Sequence, residues 1–337
     1  MIGIRADANP YLGLGHVMRC LSIANALSAL GYKIVFLLAS KEAEKIISDK
    51  GYETLIFNSD YRNLEEELDC WPGITFECIL VDSYYVTPSF FRFLKARTDL
   101  LVYLDDLATF SYPVDVLINY NVYGSCLNYD KLYHNSGVRM PRLLIGPSYV
   151  PLRSEFRGVH RRVQPEIVKN VLISTGGSDA EHVALSLINA KPQNYTYHFL
   201  IGAMNNDKAE IEKLASSQEE IVLHENVVDM KSLLIGMDLV VSAAGSTLYE
   251  ICACRVPLIT YILADNQALG AAEFERLGLA VNIGDIRKID DPVRMILSTI
   301  VNLSNDYERR VAAGNRMAKI VDGLGAERIA EIIQGML

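Results

Sequence analysis

The chain has 337 residues, half of them hydrophobic and 22% charged, with a net charge of −9. That balance suits a globular protein of about two domains. It excludes a nucleic-acid surface, because the nearest basic run, residues 157–162, is short and isolated; it also excludes stable membrane insertion, because no apolar run approaches the ~18 residues of a spanning helix.

Strands and helices alternate from end to end. The first half predicts strands at Ile2–Ala6, Lys33–Ala39, Thr54–Phe57, Cys78–Asp82, Leu100–Asp105, Val114–Asn119 and Leu143–Ile145. Helices are expected near Val17–Leu30, Lys41–Lys50, Asn63–Cys70 and Pro88–Ala96. Several strands are unbroken apolar runs, as buried parallel strands are. A proline-bearing, basic stretch at 147–165 reads as a linker. The pattern then restarts with strands at Asn170–Ser174, Tyr197–Ile201, Ile221–Leu223, Leu239–Ser242, Leu258–Ile262 and Ala280–Ile283. Their helices fall near Asp179–Asn189, Lys208–Ser216, Met230–Met237, Thr247–Ala253, Gln267–Leu277 and Pro292–Asn302, with a terminal helix over 304–335 broken at 323–325. The expected fold is α/β: two doubly wound Rossmann-like domains, 1–150 and 166–337, facing across a cleft.

Arg5 and Asp7 interrupt the apolar start, and glycines follow, so the N-terminus does not read as a signal peptide. The six cysteines form no framework and read as reduced core thiols, which suits the cytoplasm. Nothing in the pattern demands an obligate dimer, and a monomer is expected.

The first 21 residues run from a strand through a Gly13-x-Gly15-His16 loop into a helix. His16 therefore stands at a helix N-terminus, where free N–H groups and the helix dipole favour anions. Imidazole is also the side chain that titrates near neutrality. A capping or merely packed histidine explains the spacing as well. Dinucleotide binding is disfavoured: Met18 stands in place of the third fingerprint glycine, and no ribose-binding acid ends the second strand.

Further clusters end strands in the second half. Ser174–Asp179 can cradle a phosphate at Gly176, Gly177 and Ser178, or form a plain βα turn capped by Ser178 or Asp179. Gly245, Ser246 and Thr247 leave backbone donors open, and Glu250 can accept from a ribose diol or close a capping box with Thr247. Asp265-Asn266-Gln267 faces a ligand crevice or caps a helix. In the first half Asp82-Ser83-Tyr84, Asp105-Asp106, Asn119 and Asn121 are candidates for hydroxyl and amide recognition, with loop chemistry the plainer reading of each alone. Arg5 or Arg19 would meet a diphosphate charge. No metal-ligand spacing, Asp-x-Asp or Gly-x-Ser-x-Gly occurs, so no metal and no cofactor is expected.

Together these segments, Arg5-x-Asp7, Gly13-x-Gly15-His16-x-x-Arg19, Asp82-x-Tyr84, Gly176-Gly177-x-Asp179, Gly245-Ser246-x-x-x-Glu250 and Asn266-Gln267, resemble the PseG family of UDP-2,4-diacetamido-2,4,6-trideoxy-β-L-altropyranose hydrolases. SpsG-type spore coat polysaccharide proteins share the pattern, and both are similar to MurG-like glycosyltransferases of the GT-B fold. The resemblance spans residue 1 to about 285; the segment beyond would be a helix packing back on the first domain or a partner surface. It implies metal-independent hydrolysis of a UDP-linked di-N-acetylated deoxy amino sugar, with inversion, for pseudaminic-acid-like or surface polysaccharide synthesis. His16 would be the general base, with Tyr84 and Asn266 near the sugar and water. Arg5, Asp7, Gly13, Gly15, Arg19, Asn119, Asn121 and Gln267 would bind substrate. Gly176, Gly177, Ser178, Gly245, Ser246 and Thr247 would cradle the nucleotide, Glu250 would hold the ribose, and the uracil would lie near 225–228, beside Val227. The alternatives are an inverting UDP-sugar glycosyltransferase on the same scaffold and a non-catalytic nucleotide-sugar binder. A MurG-like transferase should show an apolar, basic face; Phe90, Phe91 and Phe93 with Arg92 and Lys95 are the faint candidate, with Phe90 and Phe93 expected in the core.

Overall fold

Seven apolar runs of the first half form one parallel sheet: β1 (Ile2–Ala6), β2 (Ile34–Leu38), β3 (Glu53–Ile56), β4 (Phe76–Asp82), β5 (Thr98–Leu104), β6 (Val116–Asn119) and β7 (Arg142–Ile145). A computed structural model of the chain describes residues 1–9, 11–71, 73–159, 163–190, 193–202 and 204–337; part of the basic stretch 157–162 lies outside them. The sheet order is β3-β2-β1-β4-β5-β6-β7. The chain thus winds one way from β1 and the other way from β4, which makes the β1/β4 boundary the topological switch point. Helices α1 (Gly15–Ala29), α2 (Glu44–Ser48), α3 (Pro88–Lys95) and α4 (Tyr129–Tyr133) accompany it. The start of α3 is fixed by Pro88 at its first position and by Thr87 Oγ1, which accepts from Phe90 N at 3.1 Å.

The second half repeats the plan with β8 (Asn170–Ser174), β9 (Thr196–Ile201), β10 (Ile221–Glu225), β11 (Leu239–Ala243), β12 (Leu258–Ile262) and β13 (Ala280–Asp285). All pairings are parallel and the order is β10-β9-β8-β11-β12-β13, so the switch point lies between β8 and β11. Its helices are α5 (Val183–Asn189), α6 (Lys208–Ala215), α7 (Met230–Ile235), α8 (Thr247–Cys254), α9 (Ala268–Arg276), α10 (Pro292–Asn305) and α11 (Tyr307–Ile320); a last helix, α12 (Gly325–Gln334), follows. The α/β class expected from the alternating pattern is what the chain adopts.

Two compact units result: Met1–Ser154 with Gly323–Leu337, and Glu155–Asp322. The second unit thus ends before the expected 337, and of the places expected for the terminal segment α12 takes the one on the first unit, packing against α1. Gly325 lies so close to the Val150 carbonyl that a Cβ there would collide, and Arg328 Nη1 donates to Ser148 O at 2.9 Å. Each unit has its own core, built in the first by residues such as Leu37, Ile79, Phe91 and Leu101, in the second by Val171, Phe199, Val241 and Ile300.

Three expectations need correction. Residues 63–70 form only a 3-10 turn, Leu64–Glu67, because Glu67 is drawn inward to Arg5. Helix α5 begins at Val183, four residues late, because Asp179 and His182 take left-handed backbone (φ 49° and 53°). Cys20, Cys78, Cys252 and Cys254 are buried, but Cys70 and Cys126 are exposed rather than core thiols. Among the described residues no helix is long and apolar enough to cross a membrane. Phe90, Phe91 and Leu94 of α3 are buried, and Phe93 lies edge-on to Trp71, so α3 offers no apolar face.

Candidate active site

At the carboxyl edge of the first sheet the β1–α1 loop meets the end of β4, which is the switch point. Gly13 turns that loop with φ +71°, a left-handed conformation that a side chain would strain, and its N–H donates to Asn9 O at 2.8 Å. Gly15 then opens α1. Leu14 at the N-cap supplies no side-chain acceptor, and among the described residues the N–H groups of Gly15, His16 and Val17 have no partner. His16 is buried, and its Nδ1 lies 2.6 Å from Asp82 Oδ1 at the end of β4. A carboxylate there accepts from Nδ1–H, which leaves Nε2 as the ring's lone-pair nitrogen. Among the described residues nothing bonds to Nε2.

Asp82 is buried, which pushes its carboxyl up, but the charges of Arg19 and His16 outweigh burial and hold it well below the usual carboxylate range. Arg19 grips it with Nε (2.6 Å) and Nη2 (2.5 Å). The other arm of Arg19 reaches Asp106 Oδ2 at 3.0 Å and Tyr120 OH at 2.6 Å. Asp106 also accepts from Tyr84 OH at 3.2 Å and from Asn121 Nδ2 at 2.8 Å. Tyr84 is 38% exposed, and its ring stands edge-on to His16 with centroids 4.6 Å apart. Burial raises the Tyr84 and Tyr120 hydroxyls, so both stay protonated and act as hydrogen-bonding groups. Asn119 lies deeper: it is wholly buried and donates to Tyr129 OH at 2.9 Å.

The structure thus gathers His16, Arg19, Tyr84 and Asn121 around two strand-end carboxylates, Asp82 and Asp106. Arg5 and Asp7 are corrected out of this group. Arg5 is wholly buried, with Nε and Nη2 on Glu67 (2.8 and 2.5 Å) and Nη1 on Asp7 at 2.5 Å. Asp7 in turn accepts from Ala39 N at 2.8 Å. The pair ties β1 to the segment after β2 and to residues 64–67. Arg19 is likewise spent on two carboxylates, so neither arginine is a spare cation for a diphosphate. Glu67 and Tyr120 were not legible as partners, because no local spacing announces them. Asp82 and Asp106 had a usable signal: Asp82 ends β4, the neighbour of β1 at the switch point, and Asp106 closely follows β5, the next strand on that side.

In the second unit the corresponding edge carries the loops after β8, β11 and β12. Gly176 has φ +85°, and Gly177 O accepts from Met204 N at 3.1 Å. Gly202 approaches that loop so closely that a Cβ would run into the Gly176 and Gly177 carbonyls. Asp179 is the capping residue rather than Ser178: its carboxylate accepts from Val183 N at 3.0 Å and Ala184 N at 2.9 Å. Burial raises that carboxyl, opposed by those same bonds. After β11, Ser246 at the N-cap of α8 makes no side-chain cap bond, and among the described residues the N–H groups of Ser246 and Thr247 have no acceptor. Thr247 is the first helical residue, not the cap, so the Thr247/Glu250 capping box is not formed; Glu250 is half-buried one turn in. After β12, Gln267 Oε1 accepts from Leu263 N at 2.8 Å and shapes its own loop, while Asn266 is exposed. Val227 is half-buried in the turn after β10, where Asn226 has φ 47°. Among the described residues no cluster of three metal-ligating side chains occurs.

No protein-family model matches the chain. The spore coat polysaccharide biosynthesis protein SpsG of Bacillus subtilis (strain 168) is 21% identical over 344 residues, covering 99% of this chain and 98% of its own. The Helicobacter pylori pseudaminic acid cytidylyltransferase and UDP-2,4-diacetamido-2,4,6-trideoxy-beta-L-altropyranose hydrolase is 24% identical over 280 residues, which is 82% of this chain and 47% of that longer protein. Among solved structures, Acinetobacter baumannii MurG superposes with a TM-score of 0.67 at 12% identity, covering 99% of both chains. By sequence the chain is thus a distant relative of SpsG and the PseG-like hydrolase, and by structure it has the two-sheet α/β fold of MurG-like, GT-B glycosyltransferases.

Proposed function

We propose that this protein acts on a UDP-linked amino sugar in polysaccharide biosynthesis and cleaves it by water attack at the anomeric carbon. The observation that carries this reading is the His16–Asp82 pair at the switch point, with Nε2 left open. His16 Nε2 takes a proton from water as the oxygen bonds to the anomeric carbon. The bond from that carbon to the glycosidic oxygen breaks, and its electron pair leaves on UDP. Attack opposite the leaving group inverts the anomeric centre. Asp82 holds the tautomer and offsets the imidazolium charge as it forms. Tyr84 and Asn121 offer hydrogen bonds to the sugar, and Asn266 is assigned to the sugar and water.

In the second unit the open N–H groups of Ser246 and Thr247 and the Gly176–Gly177 loop are assigned to the diphosphate, Glu250 to the ribose, and Val227 to the uracil. Two features support a nucleotide there: the unpartnered donors at α8, and the engagement of both Arg5 and Arg19 with carboxylates in the first unit. No metal or cofactor enters this scheme, and the protein acts as a monomer in the cytoplasm. A second reading, an inverting glycosyltransferase, is favoured by the fold of MurG; there His16 would deprotonate an acceptor hydroxyl instead of water. The test is proton NMR of the protein with UDP-2,4-diacetamido-2,4,6-trideoxy-altrose and no acceptor. Release of UDP and free sugar of inverted configuration supports hydrolysis; binding without turnover moves the reading to the transferase.

A further inference from the structure

We infer that Arg19 is not a substrate cation but a positioning residue: it bridges Asp82 and Asp106 and sets the charge balance around the His16 base. This deepens the reading of His16 given above and rests on it. The guanidinium fork lies across two carboxylates from different strand ends, Nε and Nη2 on Asp82 and Nη1 on Asp106. It is held over the Tyr120 ring, 5.3 Å from the centroid, and bonded to that hydroxyl. Its Nη2 is also 3.2 Å from His16 Nδ1. No other described cation contacts either carboxylate.

The groups facing His16 are therefore Asp82 from the end of β4, Arg19 from α1 and Tyr84 from the loop after β4, with Cys20 at one remove through Asp82 and Asp106 and Tyr120 at one remove through Arg19. The Cys20 thiol is buried and stays protonated. The formal charges of Asp82, Asp106 and Arg19 sum to −1 with the imidazole neutral. A single carboxylate beside a histidine makes it a stronger base, and a second would add to this; Arg19 cancels one of the two. The bridge has a geometric consequence as well. Asp106 also holds Tyr84 and Asn121, so Arg19 couples the base to the hydrogen-bonding wall assigned to the sugar. A lysine would keep the charge but lose the fork.

The experiment is an NMR pH titration of the histidine rings in the full-length protein without substrate, with the His16 signal identified by its loss in His16→Asn. Because it is read without turnover, its outcome is separate from whether a UDP-sugar is hydrolysed. In Arg19→Gln the His16 midpoint should rise and in Asp106→Asn it should fall, while the other five histidines stay put. Arg19→Lys should restore the midpoint toward that of the unaltered protein. General loosening of the site would not produce shifts of opposite sign. An unmoved His16 midpoint in Arg19→Gln, or shifts of the same sign in both variants, overturns the inference. If Arg19→Gln loses the native histidine signals, Asp106→Asn decides alone, and no downward shift there overturns it.

Discussion

His16 Nδ1 and Asp82 Oδ1 lie 2.6 Å apart although 66 positions separate them in the chain. The contact exists because β1 and β4 are paired neighbours, with Ala6 opposite Asp82. The end of β4 therefore faces the loop that leads into α1. Replacing Asp82 with Asn keeps the shape but removes the charge that fixes the tautomer. Turnover should fall by about 10²–10⁴-fold, as in other histidine–carboxylate pairs, with UDP affinity within a few-fold. Steady-state kinetics with calorimetric UDP binding checks this; unchanged turnover would remove Asp82 from the mechanism. His16→Asn should behave alike.

The buried Arg5–Glu67 pair makes a stability prediction instead. Both side chains are wholly buried, and Glu67 also accepts from Ser59 at 2.9 Å. Glu67→Ala leaves a buried guanidinium with Asp7 as its one remaining carboxylate, so the first unit should lose about 3–5 kcal/mol. Urea unfolding measures this, and a loss below about 1 kcal/mol would show that the pair contributes little.

The strands were legible because they are continuous apolar runs; each expected strand formed, and the shifts lie at its ends. The helix after Gly176–Gly177 was misjudged because side-chain chemistry there overrides propensity: Asp179 in left-handed backbone takes the first donors of α5. The role given to Arg5 failed for a different reason. A lone arginine in a strand looks like a site residue until its partner is known, and Glu67 lies 62 positions away. The place of α12 was open in the sequence, since an amphipathic helix does not name the surface it will cover.

The second unit should lose stability on acidification. His198 Nδ1 and His224 Nε2 are 2.9 Å apart on neighbouring strands, and burial lowers both from the ordinary imidazole value, His198 further through the His224 charge. The unfolded chain, near about 6.5, then binds more protons than the folded one, so stability rises with pH. It is complete above about 6.5 and declines below. His182, raised by Asp207, works in the opposite sense, but it is exposed and screened. Urea midpoints at pH 7.5 and 5.5 should differ, and His198→Gln should flatten the difference. A midpoint independent of pH would contradict this.

Glu250 and Gly202 report on the nucleotide assignment from two sides. Glu250→Ala should weaken UDP binding by about tenfold or more, the size expected for lost charged hydrogen bonds of about 1.5–3 kcal/mol. Gly202→Ala pushes on the Gly176–Gly177 carbonyls and should both destabilise the unit by about 1–3 kcal/mol and weaken UDP. Calorimetry that finds UDP affinity unchanged in both variants would remove the nucleotide from these loops.

The most direct test of water attack at the anomeric carbon is the fate of solvent oxygen. Turnover of the UDP-diacetamido sugar in ¹⁸O-water, followed by mass spectrometry of the UDP, locates the broken bond. Unlabelled UDP formed without any acceptor, and lost in His16→Asn, is the expected result. Labelled UDP would mean phosphorus–oxygen cleavage and contradict the mechanism, and absence of turnover until an acceptor is added would make this protein a transferase.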